Sequence, residues 1–216
     1  METQNTEIKQ RAYEILLLLK KVYPDIKSTE LNFSNAWELL IATVLAAQTP
    51  DKRVNEVTKV LFQKYKNIRE YAEAEINELE EIIKSVNFYR KKAQRIKELA
   101  KIILEKYNGE IPKSLEELTK LPGVGRKTAN MVLANALNIV EGITVDTHVM
   151  RVSRRLRLTS QIDRNKIEKD LMELYPREEW FNLANLLIAH GKSVCSAKNP
   201  KCEICILRDK CPSKER

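Results

Sequence analysis

LPGVGRKTANMVLANAL, residues 121–137, interrupts a chain in which apolar residues otherwise recur every three or four positions. Gly123 and Gly125 predict a tight turn between two helices, because glycine adopts backbone conformations that other residues disfavour. Backbone N–H groups in such a turn, together with the N-terminus of the second helix, can bind a phosphate. A Gly-x-Gly pair alone is more often an ordinary helix–helix connection, and the whole motif is far more specific. The candidate contact residues of this turn are Gly123, Val124, Gly125 and Arg126.

Helical periodicity extends from this segment in both directions. Apolar residues keep intervals of three and four, and no convincing run of alternating apolar residues occurs, so the pattern predicts an all-α protein with about ten helices. The predicted helices span residues 8–22, 37–47, 52–65, 76–85, 91–107, 114–119, 127–137, 146–156, 163–174 and 177–190.

Polar residues and glycine mark the ends of several of these helices. Ser114 and Glu117 form a capping box, and Asp146 and Asp163 are further candidate N-caps. Gly191 is expected to end the last helix, because glycine is frequent just beyond a helix C-terminus.

The composition favours a globular, intracellular protein with a polyanionic partner. Hydrophobic residues make up 43% of the 216 residues and charged residues 31%, which allows one large domain or two small ones. The polar start METQNTEIKQ has no apolar signal core, and the apolar-rich stretch 39–47 is too short to cross a membrane. Lys and Arg outnumber Asp and Glu by 38 to 30, which favours nucleic acid as a partner.

All four cysteines lie in a C-x6-C-x2-C-x5-C segment near the C-terminus. They are Cys195, Cys202, Cys205 and Cys211. An intracellular chain keeps thiols reduced, so disulfides are disfavoured. Four thiolates suit either tetrahedral zinc or an iron–sulfur cluster, and the spacing alone leaves both open. A metal-tied loop would hold its cations in place for phosphate contacts. The candidate cations are Lys192, Lys198, Lys201, Arg208 and Lys210.

Two further residues are candidates for chemistry. Lys127 is predicted in the first turn of the second hairpin helix, where the positive end of the helix dipole disfavours an ammonium group. A neutral amine can act as a nucleophile. Asp146 is predicted at a helix start, where an aspartate is ordinarily only an N-cap.

Taken in order along the chain, these motifs resemble the endonuclease III family of DNA glycosylases. The resemblance rests on LLIATVLAAQTPD, LPGVGRKTAN, VDTHVMRV and the cysteine segment, and covers nearly the whole chain. It implies an all-α, two-lobed helix-hairpin-helix fold with a [4Fe-4S] cluster and DNA as the partner. A helical barrel lobe would span 29–139 with its hairpin at 121–127. A cluster lobe would combine 1–28 with 140–216 and carry the four-cysteine loop at 195–211.

The resemblance also implies roles for individual residues. Lys127 matches the Schiff-base lysine, Asp146 the essential aspartate, and the four cysteines the cluster ligands. Gln48 and Phe88 are similar to the residues that enter the DNA stack. The chain departs from the pattern at Asn87, where relatives often have glycine, and it has one more residue between Lys127 and Asp146 than bacterial relatives.

The expected function is base-excision repair of double-stranded DNA containing a damaged base or an abasic site. The enzyme would flip out oxidised pyrimidines, form a Schiff base through Lys127 and nick the strand by β-elimination. We expect a monomer in the nucleoid or cytoplasm of a prokaryote. Two alternatives remain. A monofunctional mismatch glycosylase for adenine or thymine is opposed by the lysine at 127. A non-catalytic DNA-binding iron–sulfur module would bind DNA without forming a covalent complex.

Overall fold

The computed structural model describes residues 2–26 and 28–214, with side chains from residue 6 onward. Within these residues it is all-helical and contains no strand, which confirms the predicted fold class. None of the described helices is long and apolar enough to cross a membrane. The α-helices are α1 (Glu2–Val22), α2 (Ala36–Ala46), α3 (Asp51–Lys64), α4 (Ile68–Glu73), α5 (Ile76–Ile83), α6 (Tyr89–Tyr107), α7 (Leu115–Thr119), α8 (Arg126–Ala136), α9 (Thr147–Arg155), α10 (Arg164–Leu174) and α11 (Trp180–Ser193).

The three predicted N-caps are confirmed. The Ser114 side chain accepts a hydrogen bond from the Glu117 N–H at 3.3 Å at the start of α7. Asp163 accepts from two N–H groups in the first turn of α10, and Asp146 does the same for α9. These caps were predictable because each bond joins residues two or three positions apart.

Two features of the helices differ from the prediction. The six-residue helix α4, capped by Asn67, was missed because its apolar pattern is too short to establish a period. The expectation that Gly191 ends the last helix is wrong, since α11 continues to Ser193. A Cβ at Gly191 would lie 2.9 Å from the Cβ of His148 and 3.1 Å from Arg151 Nη2. Glycine is present here because α9 passes close to α11.

The chain forms two compact units. Residues 29–141 are termed the hairpin unit, and residues 1–28 with 142–216 the cysteine unit. In the hairpin unit, α2 is almost completely buried and contacts α3, α6 and α8. In the cysteine unit, α9 and α11 pack together and α1 contacts both α10 and α11. Each unit has its own apolar core, so each can hold its functional residues in place.

Candidate functional site

The turn between α7 and α8 presents backbone N–H groups for binding. Gly123 has φ +75°, a conformation that favours glycine. Val124 is buried, and its N–H donates to Leu121 O at 3.1 Å. Gly125, the N-cap of α8, has no side chain with which to bond the first-turn N–H groups, so an anion can use them. The local geometry can therefore bind a phosphate.

Arg95 of α6 lies against this turn. A Cβ built on Gly123 would be 2.2 Å from Arg95 Cδ and 2.4 Å from its Nε. The arginine is exposed, so its guanidinium adds positive charge beside the turn. Sequence analysis missed Arg95 because it belongs to a different helix and no local motif marks it.

Lys127 is exposed in the first turn of α8, next to the exposed Arg126. The helix is fixed in the hairpin unit by three residues that are completely buried. They are Ala129, Val132 and Leu133. The structure thus presents the Lys127 amine on a firmly packed helix, directly after the turn.

Asp146 is half-buried at the start of α9. Its Oδ1 accepts hydrogen bonds from the N–H groups of His148 and Val149, both at 2.8 Å. Among the described residues, no bond to its Oδ2 is found. A capping role and a role toward a substrate are therefore compatible, because they use different oxygens of the same carboxylate.

Four residues from two distant loops meet in the hairpin unit. Gln48, Thr49, Asn87 and Phe88 are termed the paired loops. The Asn87 N–H donates to Thr49 Oγ1 at 3.3 Å, and its side-chain amide donates to Gln48 O. Gln48 and Phe88 each have φ +58° and an exposed side chain, and Phe88 is 62% exposed. An exposed phenylalanine in a left-handed conformation is unusual and suggests a role outside the core.

The four cysteines line one cavity of about 330 Å³ in the cysteine unit. Burial raises the pKa of the Cys205 and Cys211 thiols, and the neighbouring cysteines raise it further. Four thiolates at this spacing would repel one another, so they need a cationic core between them.

Two arginines of α9 hold the cysteine loop. Arg155 donates to Cys195 Sγ at 3.3 Å and to Ser196 O at 2.7 Å. Arg151 donates to Cys195 O at 3.0 Å and to Gly191 O at 2.7 Å. Sequence analysis missed both residues. Their spacing of four places them on the same face of the helix, which was the available signal.

A buried histidine lies beside the same cavity. His190 is 2% exposed, and its Nε2 is 3.5 Å from Cys205 Sγ. Its Nδ1 is 3.2 Å from the Tyr23 hydroxyl. Burial lowers the pKa of His190 to about 4, so the ring is neutral near pH 7.

The candidate DNA-contacting lysines of this region are all exposed. They are Lys192, Lys198 and Lys201. Lys198 and Lys201 also line the cysteine cavity. Lys210, in contrast, forms an ion pair with Glu14 at 2.5 Å, which ties the loop to α1. The cations of the loop therefore divide between anchoring the loop and facing solvent.

Comparison with known proteins agrees with this geometry. Residues 41–177 match the profile of the HhH-GPD superfamily base excision DNA repair protein, and residues 195–211 match the iron–sulfur binding domain of endonuclease III. The chain is 48% identical to endonuclease III of Synechocystis sp. over 95% of its own length and 93% of the relative. It is 47% identical to endonuclease III of Bacillus subtilis over 84% and 83%. The chain belongs to the endonuclease III family.

A solved structure supports the same assignment. The trapped endonuclease III–DNA covalent intermediate in its estranged-adenine complex superposes with a TM-score of 0.89. It is 43% identical to this chain and covers 96% of it, with 97% of that structure matched. The agreement therefore extends over both units of this endonuclease III family member.

Membership of the endonuclease III family decides the metal question that the spacing left open. The chain binds a [4Fe-4S] cluster. The donor set suits this cofactor, because four cysteines, the residues that hold iron–sulfur clusters, line one cavity of the cysteine unit. These four cysteines would hold the cluster, whose cationic core would offset the repulsion of four thiolates.

Proposed function

We propose that this chain removes oxidised pyrimidines from double-stranded DNA and cleaves the resulting abasic site. The class of enzyme, a base-excision-repair DNA glycosylase with abasic-site lyase activity, follows from its family. The observation that carries the proposed lyase step is the exposed Lys127 amine directly after an uncapped hairpin turn. The choice of oxidised pyrimidines rests on the family resemblance.

The hairpin turn binds the DNA backbone in this proposal. The N–H groups at Gly125 and in the first turn of α8 receive a phosphate, and the exposed Arg126 adds a charge. In the cysteine unit, exposed lysines provide further phosphate contacts. These lysines are Lys192, Lys198 and Lys201. Such contacts hold the duplex without reading its sequence.

Lys127 and Asp146 carry the chemistry. The Lys127 Nζ attacks C1′ of the extruded nucleotide and loses a proton, while the base departs with the electrons of the glycosidic bond. Asp146 offers Oδ2 to the positive charge that develops on the sugar. The C1′–O4′ bond then breaks, with O4′ taking up a proton from water, and leaves a protonated imine between C1′ and Lys127. Loss of a proton from C2′ then breaks the C3′–O bond, and the 3′ phosphate departs with the electrons of that bond.

Gln48 and Phe88 fill the space left by the extruded nucleotide. Both are exposed and fixed in left-handed conformations, so their side chains project from the paired loops. Gln48 would contact the orphaned partner base, and Phe88 would wedge apolar surface into the stack.

The four cysteines are proposed as the cluster ligands. Their shared cavity and the arginine contacts to Cys195 support this assignment. We further propose that the protein acts as a monomer on the genomic DNA of a prokaryotic cell, in the nucleoid or cytoplasm. Its bacterial relatives support the prokaryotic assignment.

Borohydride trapping tests the role of Lys127. We expect the wild-type protein to form a covalent complex with a duplex containing one abasic site or thymine glycol. Lys127→Ala should form none, and its strand cleavage should fall by at least about a thousandfold, because the nucleophile is gone. Trapping is measured by denaturing electrophoresis.

Lys120→Ala is the matched control. Lys120 is also close to the hairpin in sequence, but its Nζ pairs with Glu116 at 3.0 Å and Glu117 at 2.6 Å. This variant should form the covalent complex as the wild type does. Trapping by Lys127→Ala would show that another amine is the nucleophile. Absence of a complex with wild type would leave the monofunctional mismatch glycosylase or the non-catalytic DNA-binding module, and would overturn the proposal.

A further inference from the structure

A lysine occupies a core position of α6. Lys92 is 4% exposed. It lies on the buried face of α6, in line with Ile96, Leu99 and Ile103. Burying an ammonium group is costly unless its donors are satisfied. The cost is visible here, because burial, with a smaller contribution from Arg95, lowers the pKa of Lys92 to about 8. The position calls for an explanation other than packing.

The contacts of Lys92 satisfy every donor of an ammonium group. Its Nζ donates to Leu45 O at 2.8 Å, Ala47 O at 2.6 Å and Thr49 Oγ1 at 3.3 Å. Leu45 and Ala47 lie at the C-terminal end of α2, the negative end of the helix dipole. In the part of the chain that the structure describes, Lys92 forms no ion pair with a carboxylate. Three neutral oxygens, all near Gln48, hold the charge.

These contacts connect Lys92 to both paired loops. The bonds to Ala47 and Thr49 lie on either side of Gln48. Thr49 Oγ1 also accepts the Asn87 N–H. Lys92 itself is in the first turn of α6, where its own N–H donates to Phe88 O at 3.1 Å. The buried Lys92 side chain therefore holds the segment around Gln48 directly. It reaches the segment of Phe88 through the shared Thr49 hydroxyl and through the helix backbone.

We infer that Lys92 is the positioning residue that fixes Gln48 and Phe88 as a pair. The inference rests on the proposed role of these two residues in the DNA stack. A left-handed backbone at a residue other than glycine persists only when its surroundings enforce it. Lys92 holds the backbone on both sides of Gln48 through its hydrogen bonds. Because its ammonium group is buried, it does not reach a phosphate. Its loss should impair insertion into DNA without removing an electrostatic contact.

The test uses a duplex with a tetrahydrofuran abasic analogue opposite 2-aminopurine, whose fluorescence reports stacking of the orphaned base. Lys92→Met keeps the length of the side chain but removes its donors. We expect about tenfold weaker binding and a smaller fluorescence change than wild type, with an unchanged slope of log Kd against log salt concentration. Thermal melting and iron content of the holoprotein confirm that each variant is folded.

Lys97→Met is the matched control. Lys97 lies on the same helix and donates to Ala74 O, the C-cap of α4, away from the paired loops. It should bind and report like wild type. If Lys92→Met does not fold, Thr49→Val breaks the link to Asn87 while keeping the charge, and it should weaken binding and fluorescence in the same way.

Three results would overturn the inference. Wild-type affinity and fluorescence in folded Lys92→Met would show that positioning does not depend on this lysine, and the same result in Thr49→Val would show that the bonds meeting at Thr49 do not link the two loops. A salt slope reduced by about one would make Lys92 a direct phosphate contact. An equal loss in Lys97→Met would indicate general loosening of α6. Phe88→Ala separates the two proposals: if it inserts and binds like wild type, the wedge role itself fails.

Discussion

The hairpin turn and the paired loops reach similar backbone conformations by different means. In the hairpin, the single left-handed residue is Gly123, and the turn is closed by a bond from Val124 N–H to Leu121 O three residues away. In the paired loops, the left-handed residues are Gln48 and Phe88, which carry large side chains. Their conformation depends on bonds between segments about forty residues apart.

This difference separates two ways of building the surfaces that we propose contact DNA. A backbone that binds phosphate needs no side chain, so glycine can adopt the left-handed conformation at little cost. A residue that enters the base stack must keep its side chain, so the conformation costs about 1–2 kcal/mol and the surrounding structure has to offset it. The hairpin conformation is thus set by residues close in sequence, whereas that of the paired loops is set by tertiary contacts.

Among tests of this comparison, the largest effect is expected from substituting the two hairpin glycines one at a time. Gly125 has φ −84° and open space where a Cβ would project, so Gly125→Ala should fold normally. If a phosphate lies against this position, the added methyl should weaken DNA binding by about 2 kcal/mol, roughly 30-fold, through loss of a charged hydrogen bond. Binding to an abasic duplex at fixed salt measures this effect.

Gly123→Ala supplies the contrast. Its φ of +75° strains any other residue, although the end of Arg95 can move away from the new Cβ. We expect about 1–2 kcal/mol less free energy of unfolding, measured by denaturant titration. Equal stability losses in both variants would contradict the idea that Gly125 is kept open for DNA.

The next effect concerns the bonds that hold the paired loops. Thr49→Val removes the buried hydroxyl that accepts from Asn87 N–H and Lys92 Nζ. Two donors lose a partner, so the free energy of unfolding should fall by about 1–3 kcal/mol. Thr43→Val is the control, because Thr43 Oγ1 donates only to Leu40 O within α2 at 2.8 Å. Equal losses of unfolding free energy in the two variants would mean that the bonds between the two loops stabilise the protein no more than a bond within one helix does.

The smallest effect isolates the backbone strain at Phe88. Phe88→Ala and Phe88→Gly both remove the aromatic ring, but only glycine relieves the φ of +58°. The glycine variant should unfold with a free energy about 1 kcal/mol higher than the alanine variant, although neither inserts into DNA. At Asn108, also left-handed at the other end of α6, replacing the wild-type residue by glycine should change the free energy of unfolding less than at Phe88, because asparagine tolerates this conformation better than most residues. An alanine variant as stable as the glycine variant would show that no strain is stored at Phe88.

Much of the fold was predictable because its signals are local. The helical period, the N-caps at Ser114, Asp146 and Asp163, and the hairpin between α7 and α8 each depend on residues within one or two turns of one another. The misassigned Gly191 shows the limit, since glycine there serves the approach of α9 and not the end of α11. The roles of Lys127 and Asp146 came from motif order and family resemblance, and they stay predictions.

By itself, the sequence determined the all-α class, the hairpin, the four-cysteine segment and the family, because each is written in contiguous residues with a fixed spacing. Only the tertiary structure decided that Lys92 is buried, that Arg95 lies against Gly123, and that Arg151 and Arg155 hold the cysteine loop. Long polar side chains on a helix look alike in sequence. Whether such a side chain meets solvent, a carbonyl or a thiol depends on which segment packs beside it, and that is set by the three-dimensional fold.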